Sequence, residues 1–300
     1  MKQTFLRDKW LRSVNKPLTL VFIPKNIHPW YDLVQEGAKQ AIAEYQQQGM
    51  HVTLRWEAPD VADIQIHTEK IKAAITTRPD GLAIACVAPT TNTRTINDAV
   101  KAGLPVITFD TDAPESQRKT YIGHADDYQD GYDLGQFLAK QLGYTGKVGV
   151  LTGTLTAPNH AGRVNGFKAA LVQHKNMEIV FSGPDRDNLE HAMDLTQMAL
   201  RNHPDINGFF CCNATNPIGC ARVMKNAGKA GQIHIVGMDA LPETIELIQE
   251  GVIDAVKVQR QQEIGYWAVV YLVALNQGHT IPREHHIGAE FITAEDLKKM

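Results

Sequence analysis

The sequence predicts an α/β protein with two doubly wound lobes, each built on a parallel sheet that helices cover on both faces. Short aliphatic or β-branched runs alternate with helical patterns along nearly the whole chain. The runs are apolar on both sides, which is typical of parallel strands buried under helices. They also begin at similar intervals in the two halves of the chain, so we expect two lobes of one architecture.

The predicted elements follow in order along the chain. Strands are predicted to begin near Leu18, His51, Gly81 and Pro105 in the first half, and near Lys147, Met177, Gly208, His234 and Ala255 in the second. Helices are predicted where apolar residues recur three and four apart, over residues 31–47, 64–76, 93–102, 128–142, 162–173, 189–202, 218–227, 242–249 and 264–276. The lobes are predicted to divide at residues 121–127, and the last helix and a short strand near Phe291 return to complete them.

Composition excludes several classes of function. The 300 residues are 43% hydrophobic and 21% charged, which is typical of a soluble globular chain long enough for two domains. A formal net charge of -3 provides no basic surface for nucleic acid, so no nucleic-acid partner is predicted. The longest apolar run, residues 266–275, is shorter than the about 20 residues that cross a bilayer. Residues 1–16 form a basic N-terminal extension that lacks the apolar stretch of a secretory signal.

No catalytic signature is present. The patterns GxSxG, GxxxxGK[ST] and HExxH do not occur, and no GxGxxG follows a predicted strand. An enzyme is therefore the least favoured interpretation, and no cofactor, catalytic residue or metal site is predicted. The four cysteines, Cys86, Cys211, Cys212 and Cys220, include no CxxC pair and are predicted to be buried free thiols. His285 and His286 are predicted to face solvent in a polar tail.

Polar and aromatic side chains gather where the predicted strands end, which is where open parallel sheets bind ligands. The candidates are Lys25, His28, Trp30 and Tyr31 after the first strand, Asp110 after the fourth, Asn159 and Arg163 after the strand ending at Leu151, then Asn213, Asp239 and Gln259. If the two lobes face each other through these ends, the candidates line a cleft. Carboxylates and amides match hydroxyl pairs and an aromatic ring covers the C–H face of a sugar, so a neutral, hydroxyl-rich ligand is predicted.

Structural roles remain open for the same residues. Asp110 and Asp112 precede Pro114 and are also suited to shaping a turn. Trp30 is also suited to a hydrophobic staple at the start of a helix. Asn213 and Asp239 are common helix-capping types, and Arg163 is equally able to pair with an acid on a helix face.

The chain resembles the type 1 periplasmic binding proteins that deliver sugars to ABC transporters, such as ribose- and galactose-binding proteins. The likeness covers nearly all of residues 18–292 and is carried by FIPKNIHPWYDLVQEGAKQA, PVITFDTDAPES, YIGHADDYQDGYDLG, GVLTGTLTAPNHAGRVNGFKAAL, NHPDINGFFCCNAT, HIVGMDALPE and VQRQQEIGYWA. The resemblance implies a three-segment hinge with crossovers near residues 122–124, 259–261 and 287–289. The implied lobes are residues 17–122 with 260–288, and residues 123–259 with 289–300.

The resemblance also implies roles for individual residues. Trp30 and Tyr31 fall where family members stack aromatic rings on the sugar, and the segment 159–163 resembles a loop that contacts the ligand. The hydrogen-bonding positions of the family fall on Asp110, Asn213, Asp239 and Gln259. The chain departs from the ribose binders at Thr111, which replaces an arginine, and at Arg186 or Asp187, which replaces an aromatic residue. Lys25 is similar to a lysine of the autoinducer-2 receptors.

The leading hypothesis is a monomeric solute-binding protein, periplasmic or extracellular, that captures a monosaccharide or related polyol for the membrane permease of an ABC transporter. The alternative is the sensory ectodomain of a membrane signalling protein, such as a sensor kinase, that binds a sugar or an autoinducer-2-like ligand. A third hypothesis, the effector domain of a lactose-repressor-type regulator, is disfavoured because the 16 residues before Pro17 are too few for a DNA-binding helix-turn-helix.

Overall fold

The computed structural model describes residues 16–124, 126–155 and 157–299, and these residues form two units. Unit 1 comprises the described residues up to Gly123 together with Arg260–Ile287, and unit 2 comprises His124–Gln259 with the described residues after Ile287. The chain therefore passes between the units three times, at residues 123–124, 259–260 and 287–288. Apart from Lys16, the predicted N-terminal extension lies outside the described residues.

Strands and helices alternate along the described chain. In order, they are β1 Leu18–Ile23, α1 Pro29–Gln47, β2 Val52–Trp56, α2 Ile64–Thr76, β3 Gly81–Ile84, α3 Pro89–Lys101, β4 Val106–Phe109, β5 Tyr121–His124, α4 Asp127–Gln141, β6 Thr145–Thr152, α5 Pro158–Leu171, β7 Asn176–Pro184, α6 Leu189–Asn202, β8 Ile206–Cys211, α7 Asn216–Asn226, β9 His234–Met238, α8 Pro242–Gln249, β10 Ala255–Gln259, α9 Gln261–Asn276, β11 Glu284–Ile287, β12 Ala289–Thr293 and α10 Ala294–Leu297.

Each unit is built on a six-stranded sheet. The first has the order β11-β5-β4-β3-β1-β2, and its strands β1 to β5 pair in parallel. The second has the order β12-β10-β9-β8-β6-β7, in which β6 to β10 are parallel and β12 runs antiparallel to β10. The predicted fold class, two parallel-sheet α/β lobes joined by three segments, is confirmed.

The central strands are buried because aliphatic residues occupy both of their faces. All four residues of β3 and all four of β4 are buried, as the continuous apolar runs predict. Several helices begin with proline in the first turn, at Pro29, Pro89 and Pro158 among others, where the missing N–H costs no hydrogen bond. These prolines place the helix starts close to the ends of the preceding strands.

Each unit has its own apolar core. In unit 1, Val21 and Ile84 of the sheet pack with residues of α2 and α3, such as Ile71 and Ile96. In unit 2, the rings of Phe167 in α5 and Phe210 in β8 stack with their centroids 4.2 Å apart, inside a cluster that also contains Val148, Val236 and Leu134. The two units therefore have separate apolar cores.

Glycines bring two helix pairs into close contact. A Cβ atom on Gly37 of α1 would lie 1.8 Å from the carbonyl oxygen of Gln262 in α9. A Cβ atom on Gly131 of α4 would lie 1.9 Å from the carbonyl oxygen of Arg163 in α5. Real Cβ atoms do not approach so closely, so glycine is required at both positions. These contacts hold α1 against α9 and α4 against α5, and both α1 and α5 carry candidate site residues.

Two strands were not predicted from the sequence, and one prediction was wrong. Strands β5 and β11 are only four residues long, and β11 is polar because it lies at a sheet edge. His285 does not sit in a solvated tail: it lies in β11, with its Nδ1 3.0 Å from the Tyr271 hydroxyl and its ring 5.1 Å from that of Trp267. His286 pairs with Glu284 on the exposed side. The four cysteines are free and buried, as predicted.

Within the described residues, no helix combines the length and the apolar character that crossing a membrane requires.

Candidate ligand-binding site

Asp110 occupies a left-handed turn directly after β4. Its φ angle is 58°, its N–H donates to the carbonyl of Ile122 (3.0 Å), and its own carbonyl accepts from the Tyr121 hydroxyl (2.8 Å). Aspartate is one of the few residues other than glycine that adopts this conformation readily. The turn keeps the hydrogen-bonding pattern of the sheet while it fixes the carboxylate at the carboxyl end of the strand.

The Asp110 carboxylate is paired with two side chains of the first strand–helix unit. The Tyr31 hydroxyl donates to Oδ2 over 2.6 Å, and the Lys25 Nζ lies 2.9 Å from the same oxygen. The side chains of Lys25 and Asp110 are only 14% and 7% exposed, so the two charges compensate each other in a poorly solvated place. This arrangement offers both acceptors and donors to a polar ligand.

His28 and Trp30 complete the unit 1 cluster, which we define as Lys25, His28, Trp30, Tyr31 and Asp110. His28 caps α1, since its Nδ1 accepts from the N–H of Trp30 over 3.1 Å. The Trp30 ring meets that of Tyr31 edge to face, with the centroids 5.0 Å apart. The structure therefore brings all five predicted residues of unit 1 into one neighbourhood.

Asp112 has a structural role, as the turn-forming interpretation allowed. Its carboxylate accepts two hydrogen bonds from the guanidinium of Arg118, at 2.6 Å and 2.5 Å, and one from the Thr108 hydroxyl. Arg118 is 1% exposed and also donates to the carbonyl of Arg283. The second aspartate of the FDTD motif thus ties the loop after β4 to the segment before β11.

Asp239 repeats the geometry of Asp110 in unit 2. It follows β9 directly, has a φ angle of 65°, and donates its N–H to the carbonyl of Lys257 over 2.6 Å. The Gln259 side chain donates to its carboxylate, with Nε2 at 3.3 Å and 3.4 Å from the two oxygens. Both residues are almost fully buried. Each unit therefore holds one left-handed aspartate at the end of a central parallel strand.

Arg163 is a buried cation in α5. Its Nε donates to Asp127 Oδ1 over 2.9 Å and its Nη1 to the carbonyl of Cys212 over 3.2 Å. Burial opposes the charge, but attraction to Asp127 and Asp239 keeps the pKa of Arg163 above its ordinary value. Among the described residues, nothing accepts from its buried Nη2, and nothing donates to the buried Oδ1 of Asn159 one turn earlier.

Asn213 follows β8 and holds the start of α7 together with the loop after β7. Its Oδ1 accepts from the N–H groups of Thr215 and Asn216, at 3.0 Å and 2.9 Å. Its Nδ2 donates to the carboxylates of Asp185 and Asp187. The capping role left open for Asn213 is therefore present. With Asn159, Arg163, Asp239 and Gln259, it forms what we call the unit 2 cluster.

Two acidic groups beside the unit 2 cluster were not selected from the sequence as site residues. Asp127, which pairs with Arg163, lies in an acidic run whose pattern indicates only the start of a helix. Asp185 is fully buried, and burial together with the neighbouring Asp187 raises the pKa of its carboxyl group from 3.8 to about 7. Asp185 and Asp187 both follow β7, the strand predicted to begin near Met177, whose residues are mostly half-exposed or exposed.

The described residues contain no group of three or more His, Cys, Asp or Glu side chains placed to hold a metal ion. The polar groups in both clusters are instead amides, carboxylates, a lysine, an arginine and aromatic side chains. Such groups recognise a ligand through hydrogen bonds and ring contacts.

Comparison with known proteins decides the family. The model of the periplasmic binding protein domain matches residues 20–280, which is most of the chain. The chain belongs to this family. Its members are binding proteins, so the chain is a ligand-binding protein and not an enzyme.

Relatives within the family carry names that refer to sugars. The xylose/arabinose-binding protein XylF of Sulfolobus acidocaldarius is 24% identical over 81% of this chain, and the match spans 64% of the length of XylF. GanP, a glucose-galactose binding protein from Geobacillus stearothermophilus, is 31% identical, with a TM-score of 0.83 over 94% of this chain and 99% of GanP. An ABC transporter solute-binding protein from Burkholderia graminis, solved with D-arabinose, is 27% identical, with a TM-score of 0.87 over 95% of this chain and 98% of its own. These relatives support the solute-binding hypothesis and not the sensory alternative.

Proposed function

We propose that the protein captures a monosaccharide or a related polyol and delivers it to the membrane permease of an ABC transporter. The observation that carries this proposal is the repeated left-handed aspartate, Asp110 in unit 1 and Asp239 in unit 2, at the end of a central strand. Each carboxylate is buried and fixed by neighbours, so each is ready to accept hydroxyl hydrogen bonds with little loss of side-chain entropy. The family membership and the sugar-binding relatives support the same function.

The proposed ligand site consists of the residues of the two clusters. Each of these residues either contacts the ligand or supports a neighbour that does: Lys25, His28, Trp30, Tyr31, Asp110, Asn159, Arg163, Asn213, Asp239 and Gln259. We propose that each cluster supplies hydrogen-bonding groups for sugar recognition. Hydroxyl groups would pair with Asp110 and Asp239, and the aromatic pair Trp30–Tyr31 would meet the C–H face of the ring. Arg163 Nη2 and Asn159 Oδ1, which have no partner among the described residues, would then gain partners from the ligand.

An uncharged ligand agrees with the charge balance of the clusters. Lys25 is already matched by Asp110, and Arg163 is matched by Asp127 and attracted by Asp239. A ligand carboxylate or ammonium would disturb these pairs and leave a buried charge without compensation. A neutral polyol adds hydrogen bonds without adding charge. We also propose that the protein works as a monomer in the periplasm or outside the cell.

The test is a thermal-shift panel of pentoses, hexoses, polyols, sugar acids, autoinducer-2 and amino acids, followed by calorimetry of every compound that shifts the midpoint. Binding at a hundredfold excess over Kd raises the free energy of unfolding by about 2.7 kcal/mol, which such a panel detects. The proposal predicts a shift with at least one monosaccharide or polyol. Shifts with amino acids alone would contradict it.

A further inference from the structure

Unit 1 contains a groove between α1 and α9 that the sugar-binding proposal does not use. Its volume is about 300 Å³, at the lower end of the range for small-molecule sites. The lining consists of Glu44, Tyr45, Gln48, Tyr266, Trp267 and Val270. Glu44 follows Trp30 by about four turns of the same helix, so the groove lies about 20 Å along α1 from the unit 1 cluster. It is therefore separate from the proposed sugar contacts.

Close backbone contact holds the two helices together beside this groove. Gly37 of α1 packs against the backbone of Gln262, and a Cβ atom on Gly265 of α9 would lie 1.8 Å from the carbonyl oxygen of Val34. Larger side chains, such as that of Tyr266, follow these glycines on both helices and form the walls of the groove. The walls therefore stand on a backbone that two tight contacts fix.

The indole ring of Trp267 is held in place by neighbouring rings. Its centroid lies 5.9 Å from that of Tyr266, which it meets edge to face, and 5.7 Å from that of Tyr271. On the β11 side the His285 ring is 5.1 Å away, and this histidine also lies 3.0 Å from the Tyr271 hydroxyl. A ring fixed by these contacts loses little side-chain entropy when a ligand packs on it.

Glu44 is the charged group of the groove. Its Oε2 accepts from the Tyr266 hydroxyl over 2.6 Å, and its Oε1 accepts from the Gln40 amide over 3.3 Å. Both donors are neutral, and no lysine, arginine or histidine of the described chain forms an ion pair with Glu44. A carboxylate has about four lone-pair positions, so this one is able to accept further hydrogen bonds. Its charge is therefore available to a cationic ligand.

The tyrosine side chains beside Glu44 are neutral at physiological pH. Burial and then the charge of Glu44 raise the pKa of Tyr45, and the hydrogen bond to Glu44 raises the pKa of Tyr266. Neutral phenol and indole rings carry negative π faces, to which the carboxylate adds a full negative charge. The remaining lining residues, Gln48 and Val270, are uncharged. The groove therefore combines aromatic walls with a net negative charge.

We propose that this groove is a second binding site, specific for a small organic ammonium ion whose charge lies between the aromatic rings and the Glu44 carboxylate. A cation is attracted to the face of a tryptophan more strongly than to any other ring, and Trp267 supplies that face. A neutral molecule of the same shape keeps the apolar contacts but loses the attraction of the charge, so it binds more weakly. The site does not depend on the proposed sugar-binding function.

The experiment titrates the full chain with choline and with its uncharged analogue, the alcohol in which a tert-butyl group replaces the trimethylammonium group. Heteronuclear NMR spectra follow the indole N–H signals of the tryptophans, and Trp267→Phe identifies the signal of Trp267. Choline should shift this signal saturably. The Kd of the uncharged analogue should be about fivefold higher or more, because the two molecules differ in charge and hardly in shape.

Matched variants separate the carboxylate of the groove from the general charge of the helix. Glu44→Gln keeps the shape and the hydrogen-bond acceptor, and should raise the Kd of choline about fivefold. Glu36→Gln removes another α1 carboxylate, which accepts from the Gln262 amide over 3.2 Å outside the groove, and should bind as wild type does. Tyr266→Leu removes one aromatic wall and should also weaken binding.

Three results would overturn the proposal. The first is the absence of a saturable shift of the Trp267 signal with choline in wild type. The second is equal affinity of wild type for choline and for the uncharged analogue, which measures the contribution of charge without any variant. The third is the same Kd for choline in Glu44→Gln and Glu36→Gln, since the groove carboxylate would then contribute nothing of its own.

Discussion

Replacing Asp185 with asparagine should remove a pH-dependent loss of folding stability from unit 2. Asp185 is fully buried beside Asp187, and its pKa rises from 3.8 to about 7, chiefly because burial disfavours the charged form. Between about pH 4 and pH 7 the folded state therefore holds a proton that the unfolded state has lost. Stability must fall as pH rises through this window, because the native state binds more protons.

The magnitude follows from the size of the shift. A shift of about three pKa units, at about 1.4 kcal/mol per unit, corresponds to about 4 kcal/mol lost between pH 4 and pH 8. Asparagine has nearly the same shape and its oxygen is able to accept from the Asp187 N–H and the Asn213 amide, as Asp185 does. Asp185→Asn should therefore be about as stable as wild type at pH 4 and more stable by about 2–4 kcal/mol at pH 8.

Hydrogen exchange read by mass spectrometry is the suitable assay, because the tryptophans of the described residues, Trp30, Trp56 and Trp267, lie in unit 1 and their fluorescence does not report on unit 2. Comparing variant and wild type at one pH cancels the intrinsic exchange rate of each amide. Peptides from β8 and β9 should gain protection in Asp185→Asn as pH rises, and peptides from unit 1 serve as an internal control. A difference between the two proteins that is flat from pH 4 to pH 8 would refute the reasoning.

Other substitutions test other parts of the structure. Burial lowers the pKa of His67 from 6.5 to about 4, so the unfolded state binds more protons than the folded state between these pH values. The free energy of unfolding of unit 1 should therefore rise as pH rises from about 4 to 6.5. His67→Gln should flatten this pH profile in unfolding monitored by tryptophan fluorescence. Arg118→Ala leaves Asp112 without its guanidinium partner and should destabilise unit 1 by about 3–5 kcal/mol in urea titrations; unchanged stability would contradict that role. Gly131→Ala places a methyl group against the carbonyl of Arg163 and should lower the thermal midpoint of unit 2, which calorimetric scanning measures.

The sequence was sufficient for most of the fold because apolar periodicity and strand spacing are local signals. The strand that ends before Asp110 and the one that ends before Asp239 were both found from their continuous apolar runs. Strand β11 was missed because its residues, among them Glu284 and His285, are polar. An edge strand of four residues depends on its neighbour in the sheet, and this pairing is not visible in local composition.

The candidate site was only partly predictable, since the strand-end rule finds residues but not their partners. It selected Asp110, yet nothing local showed that Lys25 and Tyr31 would converge on one oxygen of that carboxylate. It selected Asn213 by its residue type, but the structure shows an amide already committed to the protein. The left-handed backbone of Arg186 and Asp187, in the loop after β7, depends on tertiary contacts, and no local pattern predicts it.

The central claim is that the buried aspartates Asp110 and Asp239 accept hydrogen bonds from sugar hydroxyls, and calorimetry of two variants tests it most directly. Asp110→Ala and Asp239→Ala should each raise the Kd for the tightest-binding sugar of the panel by about 10- to 150-fold, since a hydrogen bond to a charged group contributes about 1.5–3 kcal/mol. Asp60→Ala, an exposed aspartate of unit 1, is the matched control and should leave Kd unchanged. Wild-type affinity in either aspartate variant, with the fold intact by circular dichroism, would contradict the account.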